Sequence, residues 1–190
     1  MKKMKLCLYV IVINMLTLSL AGCWNYKEIE KLAIVSGVAI DRDGDNKLLV
    51  TTEVVSVKQE QRQSSLQPVY MQAVGSSFFD TARSLIAYQG KRLYWSHAKV
   101  VIVSEKIAKE GISKVLDFMS RDTEIREDMW ILVAKGGKAC DIFNAKPEIE
   151  SILSFQLDNT LRAQKSISRY PSVELYDFID KLAYSHNSAV

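Results

Sequence analysis

After residue 31, the pattern of apolar and polar residues is at first typical of β-strands. Residues 32–40 and 48–57 are rich in β-branched side chains, and the segment between them, residues 41–46 (DRDGDN), is rich in turn-forming Asp, Gly and Asn. This pattern predicts an antiparallel hairpin. Residues 58–68 are polar and predict a surface loop. Further strands are predicted at residues 70–74, 93–103 and 129–134.

Helical spacing alternates with these strands and then replaces them. Ser76 or Ser77 can cap a helix that runs to Tyr88, with apolar residues three and four apart. Other helices are predicted after Ser104 and in four further segments, residues 112–122, 138–145, 149–166 and 172–184. Strands followed by alternating strands and helices favour an α+β fold with a mixed β-sheet and packed helices.

The first 20 residues have the pattern of a secretory signal. Three lysines, Lys2, Lys3 and Lys5, precede an apolar segment at residues 6–20. The alternative is a transmembrane helix, but a span needs about 20 apolar residues. This segment is shorter and is interrupted by Asn14. We therefore expect residues 1–22 to be a signal peptide that is removed.

A lipobox follows the apolar segment. Small residues precede a cysteine in Leu20-Ala21-Gly22-Cys23, which predicts that the Cys23 thiol takes a diacylglyceryl group. Cleavage would free the Cys23 amine for a second acylation, and two or more chains anchor a protein stably. Trp24 and Tyr26 follow directly, and they would lie either in the lipid headgroup layer or against the first domain.

Charge and composition describe an ordinary globular chain after the signal. The formal net charge is +3, with 25 basic and 22 acidic residues. The three lysines of the signal account for this excess, so the mature chain is near neutral. A neutral chain without a basic stripe is a poor candidate for binding nucleic acid.

The chain offers few residues for metal binding or catalysis. Asp41, Asp43 and Asp45 resemble the start of a calcium loop, but its sixth and twelfth positions hold Asn46 and Thr52 instead of Gly and Glu. A solvated hairpin turn is favoured. With only two histidines, His97 and His186, no metal site and no cofactor are expected.

Other candidate positions also favour structural roles. His97 follows Ser96 in a predicted strand, and a structural histidine is favoured over a catalytic one. Cys140 would be the sole cysteine left after lipidation, and we interpret it as a small, partly buried hydrophobe. Residues 121–128 carry charges of both signs, which is typical of a solvated loop, with a docking edge as the alternative. We therefore predict a protein that is not an enzyme.

The chain resembles the Ger(x)C family of spore germination lipoproteins, which supply the C subunit of nutrient germinant receptors in endospore-forming bacteria. Order and spacing agree over residues 22–147. Four segments carry the resemblance. The first two are residues 22–25 (GCWN) followed by 28–33 (EIEKLA), and residues 38–41 (VAID) with the acidic turn after them. The third is residues 92–105 (RLYWSHAKVVIVSE), and the fourth comprises residues 111–118 (GISKVLDF), 121–126 (RDTEIR) and 132–136 (LVAKG).

The resemblance implies a non-catalytic subunit anchored by lipid at the spore inner membrane, on the outer face of the cell membrane. Its implied partners are membrane lipid, through S-diacylglycerol and an N-acyl group on Cys23, and two multi-spanning receptor subunits. Family members are considerably longer and have consecutive α+β domains. We therefore expect a signal peptide at residues 1–22, an N-terminal domain at residues 23–150, and helices at residues 151–190 that begin an incomplete second domain.

Two other functions remain open from the residues themselves. A solute-binding lipoprotein of a transporter would share the anchor, although such proteins usually need two lobes around a cleft. An anchored hydrolase is disfavoured because histidines are sparse and nucleophile motifs are missing.

Overall fold

A computed structural model of the chain describes residues 2–19, 28–44, 46–60, 63–167 and 171–184. It forms two compact units, Met1–Glu30 and Lys31–Val190. The first unit contains the helix α1, Lys2–Ser19, and most of a short 3-10 helix, Ile29–Lys31. The second unit contains the β-sheet and the other helices.

The sheet of the second unit is mixed. Its strands are β1 Leu32–Asp43, β2 Lys47–Glu60, β3 Gln63–Gly75, β4 Arg92–Tyr94, β5 Val100–Ser104 and β6 Trp130–Ala134. The central strands β1 and β2 form an antiparallel hairpin, β2 pairs antiparallel with β3, and β1, β5 and β6 are parallel neighbours. The order across the sheet is β3-β2-β1-β5-β6, and the short β4 pairs with the start of β1.

The helices follow the strands and are bounded by recognisable caps. Ser77 accepts a hydrogen bond from the Asp80 amide at the start of α2, and Gly90 ends that helix in the left-handed conformation, with φ 65°. The helices of the second unit are α2 Phe78–Gln89, α3 Glu105–Glu110, α4 Ser113–Arg121, α5 Leu153–Ile167 and α6 Leu175–Tyr184, with a 3-10 helix at Ala139–Asn144.

Helices cover both faces of the sheet, because the central strands are apolar on both sides. On the first face, α2, α3, α4 and α6 pack through residues that include Phe78, Ile107 and Met119. On the second face, α5 and the 3-10 helix Ala139–Asn144 pack against residues that include Ala39 and Trp130. The α+β fold with a mixed sheet, predicted from the sequence, is confirmed.

Two details of the sequence prediction are wrong. Residues 58–60 and 63–68 do not form a loop, because they continue β2 and β3 as a long paired arm. Their side chains are mostly exposed, so this arm lacks the apolar alternation that marks a half-buried strand.

The predicted strand at residues 93–103 is divided into β4 and β5. The turn between them places the Lys99 amide 2.7 Å from the carbonyl oxygen of Ser36. At that point β1 has an irregularity in its register between Val35 and Gly37. The bulge in β1 and the break between β4 and β5 therefore coincide.

Candidate functional site

The anchor segment is described only in part. Helix α1 has exposed apolar side chains along its length, including Leu6, Tyr9 and Ile13. None of the helices in the described ranges is long and apolar enough to cross a membrane. Cys23, the residue for which we predict lipidation, lies outside the described residues, as do Trp24, Tyr26 and His186. The lipidation of Cys23 stays a prediction.

Asp41 is a buried carboxylate that holds a helix. It is 3% exposed, and its two oxygens accept hydrogen bonds from the backbone amides of Ala139 (2.6 Å) and Cys140 (2.9 Å). These amides begin the 3-10 helix Ala139–Asn144, where unpaired N–H groups favour an anion. The first aspartate of the acidic turn thus serves the fold. Within the described ranges, no group of three or more His, Cys, Asp or Glu side chains is placed to hold a metal.

Cys140 is partly buried against the core of the second face, as predicted. Burial raises the pKa of its thiol, and the neighbouring Asp41 carboxylate raises it further through its charge and a hydrogen bond. A raised pKa lowers the thiolate fraction, so Cys140 is a poor nucleophile at neutral pH.

Glu53 is a second buried carboxylate, and it is not among the candidate residues that the sequence predicts. Its side chain lies on the second face of the sheet and is fully buried. The amides of Leu153 (3.2 Å) and Ser154 (3.0 Å) donate to its oxygens, and so does the hydroxyl of Ser36 (2.9 Å). Glu53 thus caps α5 from a distant strand. The signal in the sequence is a single carboxylate inside an otherwise uncharged segment, residues 48–57.

Tyr70 closes one side of the Glu53 site. Its hydroxyl donates to Glu53 at 3.4 Å, and its ring stacks on Phe143 with the ring centroids 5.6 Å apart. Burial, the charge of Glu53 and this hydrogen bond together raise the pKa of Tyr70 to about 12. The phenol therefore stays protonated and remains a donor over the physiological pH range.

A third carboxylate joins α5 to the edge strand β6. Asp158 is 7% exposed and accepts a hydrogen bond from Trp130 Nε1 at 2.8 Å. It also pairs with Arg162 one turn later, at 2.9 Å. Asp41, Glu53 and Asp158 thus each accept hydrogen bonds from groups of the same chain. Their arrangement holds α5 and the 3-10 helix Ala139–Asn144 on the second face.

Gly37 lets α5 approach β1 closely. A Cβ atom at Gly37 would lie 2.1 Å from Ser154 Oγ and 3.0 Å from Val100 Cγ2. The Ser154 hydroxyl is buried and has no hydrogen-bond partner among the described residues. The absence of a side chain at residue 37 is therefore what admits the start of α5.

The charged segment at residues 121–128 forms ion pairs at the surface. Arg92 contacts Glu124 at 2.6 Å, and Arg126 contacts Asp128 at 2.8 Å. The hydrogen bond from Arg126 lowers the pKa of Asp128 more than its burial raises it. His97 is exposed in the turn between β4 and β5, not in a strand, and its ring lies beside that of Tyr94.

One recess opens on the first face, where β1, β2, β3 and the end of α2 meet. Its volume is about 200 Å³, and its lining includes Leu32, Val54, Met71 and Lys91. Pockets for drug-sized ligands usually enclose about 300–1,000 Å³. This recess is smaller than that range.

Comparison with known proteins finds a matching family model and several relatives. Residues 25–190 match the family model described as spore germination protein N-terminal domain. Among the relatives from Bacillus subtilis (strain 168), spore germination protein KC is 28% identical over 186 residues, which cover 93% of this chain and 46% of that protein. Spore germination protein B3 is 30% identical over 135 residues, or 70% of this chain and 36% of that protein. Spore germination protein A3 is 24% identical over 186 residues, or 96% of this chain and 48% of that protein.

The chain thus spans about half the length, or less, of these curated relatives. No solved structure matches it significantly. Each of these three relatives is named as a spore germination protein. Because the family model covers most of the chain, the protein belongs to the family of the spore germination protein N-terminal domain, as its resemblance to the Ger(x)C lipoproteins predicts.

Proposed function

We propose that this protein is a non-catalytic lipoprotein subunit of a nutrient germinant receptor, acting in spore germination. It is held by acyl chains on Cys23 at the outer face of the cell membrane, which becomes the inner membrane of the spore. The carrying observation is the lipobox Leu20-Ala21-Gly22-Cys23, which stands two residues before the family match begins.

The mechanism is tethering beside integral membrane partners. Acyl chains on Cys23 restrict the domain to the membrane surface and raise its effective concentration near two multi-spanning receptor subunits. A nutrient signal is then transmitted as a change in how the subunits pack. The buried carboxylates Asp41, Glu53 and Asp158 support a scaffold role, since their partners are groups of the same chain.

The signal peptide and the domain boundaries belong to the same proposal. Residues 1–22 are removed, residues 23–150 form the N-terminal domain, and residues 151–190 form the helical connection to, or the start of, a second domain. In this structure α5 and α6 pack on the sheet through Leu153, Leu161 and Leu175.

The test is expression of three tagged forms in a spore former from which the gene has been deleted. These are the natural chain, Cys23→Ala and the matched control Cys140→Ala. Mass spectrometry of the N-terminal peptide and detergent-phase partitioning report processing and acylation, and loss of optical density in nutrient reports germination.

We expect the natural chain and Cys140→Ala to begin at an acylated residue 23, to enter the detergent phase and to restore germination. We expect Cys23→Ala to remain unprocessed and to restore little. An unmodified Cys23 in the natural chain would refute the anchor. Unchanged germination after deletion of the gene would refute the receptor role.

A further inference from the structure

The two edges of the β-sheet differ in how they are covered. At one edge, β6 is bridged by the segment before α6, since the Ile131 amide donates to Val173 and the Leu175 amide donates to Met129. At the other edge is β3, and no described strand pairs with its outer side. A strand edge without a partner presents backbone N–H and C=O groups that bind another strand.

The edge strand β3 carries little of the usual protection against pairing, since Pro68 is its one protective residue. Its 13 residues, Gln63–Gly75, include no charged side chain, and only Pro68 would interrupt a new ladder. A proline is tolerated on an edge when its nitrogen faces outward, where it costs no bond to the neighbouring strand. Natural proteins usually place charges on long edges to prevent association. The composition of β3 is therefore that of a strand that pairs.

We propose that β3 pairs antiparallel with β3 of a second copy of this chain, about a two-fold axis at Tyr70, so that the two sheets become continuous. The inference concerns the protein domain alone and does not rest on the lipid anchor.

The spacing of apolar residues on β3 fits this symmetry. Leu66, Tyr70 and Val74 lie four residues apart on the same face, and each is 43% exposed. A two-fold axis at Tyr70 places Leu66 opposite Val74 of the second copy and the two Tyr70 rings opposite each other. Directly opposed apolar and aromatic side chains stabilise an antiparallel pair.

The self-complementary sequence of β3 favours a second copy as the occupant. In a symmetric pair, a residue a given number of positions before Tyr70 faces the residue the same number of positions after Tyr70 in the second copy. A charged residue at position 70 would therefore face an identical charge. An uncharged strand avoids this repulsion at every position. A strand of another protein would need no such symmetry, whereas an isologous interface requires a self-complementary surface.

The test measures dimerisation of the full chain in detergent by sedimentation equilibrium. The natural chain is expected to be dimeric, and Leu66→Lys should weaken the dimer at least about 10-fold, because the lysine replaces an opposed apolar side chain at two symmetric positions. Val74→Glu should weaken it similarly. Combining the two should restore the dimer to within about 3-fold of the natural one, because each lysine then faces a glutamate of the other copy.

The restoring effect cannot arise within one copy, because positions 66 and 74 are eight residues apart on one strand, or about 26 Å. Val57→Lys is the matched control. Val57 is 64% exposed on the same face but belongs to β2, away from the outer edge, so this change should leave the dimer unaltered. A monomeric natural chain overturns the proposal. Equal weakening by Val57→Lys, or no restoration by the double change, also overturns it.

Discussion

The sharpest prediction for stability concerns Glu53. The change Glu53→Gln keeps the size of the side chain but replaces one acceptor oxygen by an NH₂ group. In the natural protein the two oxygens accept from the amides of Leu153 and Ser154 and from the hydroxyl of Ser36. Whichever way the new amide is oriented, one backbone N–H at the start of α5 faces another donor.

The cost follows from the burial of this site. A buried donor that loses its partner costs about 1–3 kcal/mol, and hydrogen bonds to a charged group contribute about 1.5–3 kcal/mol. Glu53 is fully buried, so solvent compensates little. The Gln side chain retains one acceptor and avoids burying a charge, which offsets part of the loss. We therefore expect Glu53→Gln to lower the free energy of unfolding by about 2–3 kcal/mol.

The assay is urea unfolding of the full chain, followed by the fluorescence of the buried Trp95 and Trp130. Hydrogen exchange of the Leu153 and Ser154 amides gives a local measure, and we expect their protection to fall. The matched control is Glu110→Gln. Glu110 pairs with Arg42 at the surface, and such pairs contribute about 0–1 kcal/mol.

The prediction fails if Glu53→Gln costs no more than Glu110→Gln, or if the two amides at the start of α5 keep their protection. Either result would mean that the buried carboxylate does not hold α5 on the sheet. Glu53→Ala should lower the free energy of unfolding further, because it also creates a cavity. The comparison with Glu110→Gln therefore uses the glutamine variant.

Two further predictions follow from neighbouring residues. Gly37→Ala should lower the free energy of unfolding by about 1–3 kcal/mol, because the added Cβ would contact Ser154 Oγ. In a double-mutant cycle, Ser154→Ala should recover at least about 1 kcal/mol of this loss. If the two changes showed no coupling, the close approach of α5 to Gly37 would be contradicted. Absorbance titration at high pH should show one phenol with a pKa of about 12 that is missing in Tyr70→Phe. Because this pKa is raised on folding, the contribution of Tyr70 to stability is present below its unfolded pKa of about 10 and is lost as the pH rises through about 12; a titration identical in Tyr70→Phe would contradict it.

The sequence predicts the sheet and helices well where periodicity reports burial. The hairpin of β1 and β2 and helix α2 with its Ser77 cap follow from local patterns, and both are confirmed. The sequence predicts a loop at residues 58–68, whereas residues 58–60 and 63–68 are strands that pair with each other but cover no core. Backbone pairing without burial leaves no apolar period in the sequence.

The buried carboxylates show a different limit. The sequence pattern predicts Asp41 in a solvated turn and does not single out Glu53, because their donors are backbone amides about 100 residues later in the chain. Any residue except proline supplies such an amide, so the partner leaves no mark in the sequence.

The distance along the chain between each acid and its donors has a consequence for the order of folding. Asp41 and Glu53 are synthesised early, whereas their donors at residues 139–140 and 153–154 come 98–101 positions later. Until those residues are synthesised, the hairpin of β1 and β2 carries two carboxylates that lack their backbone donors. The face of the hairpin that bears them stays hydrated. Contacts between such remote positions slow folding. Closure of this layer therefore comes late in folding, and a nascent chain cut short before residue 139 would keep one side of its sheet exposed to water.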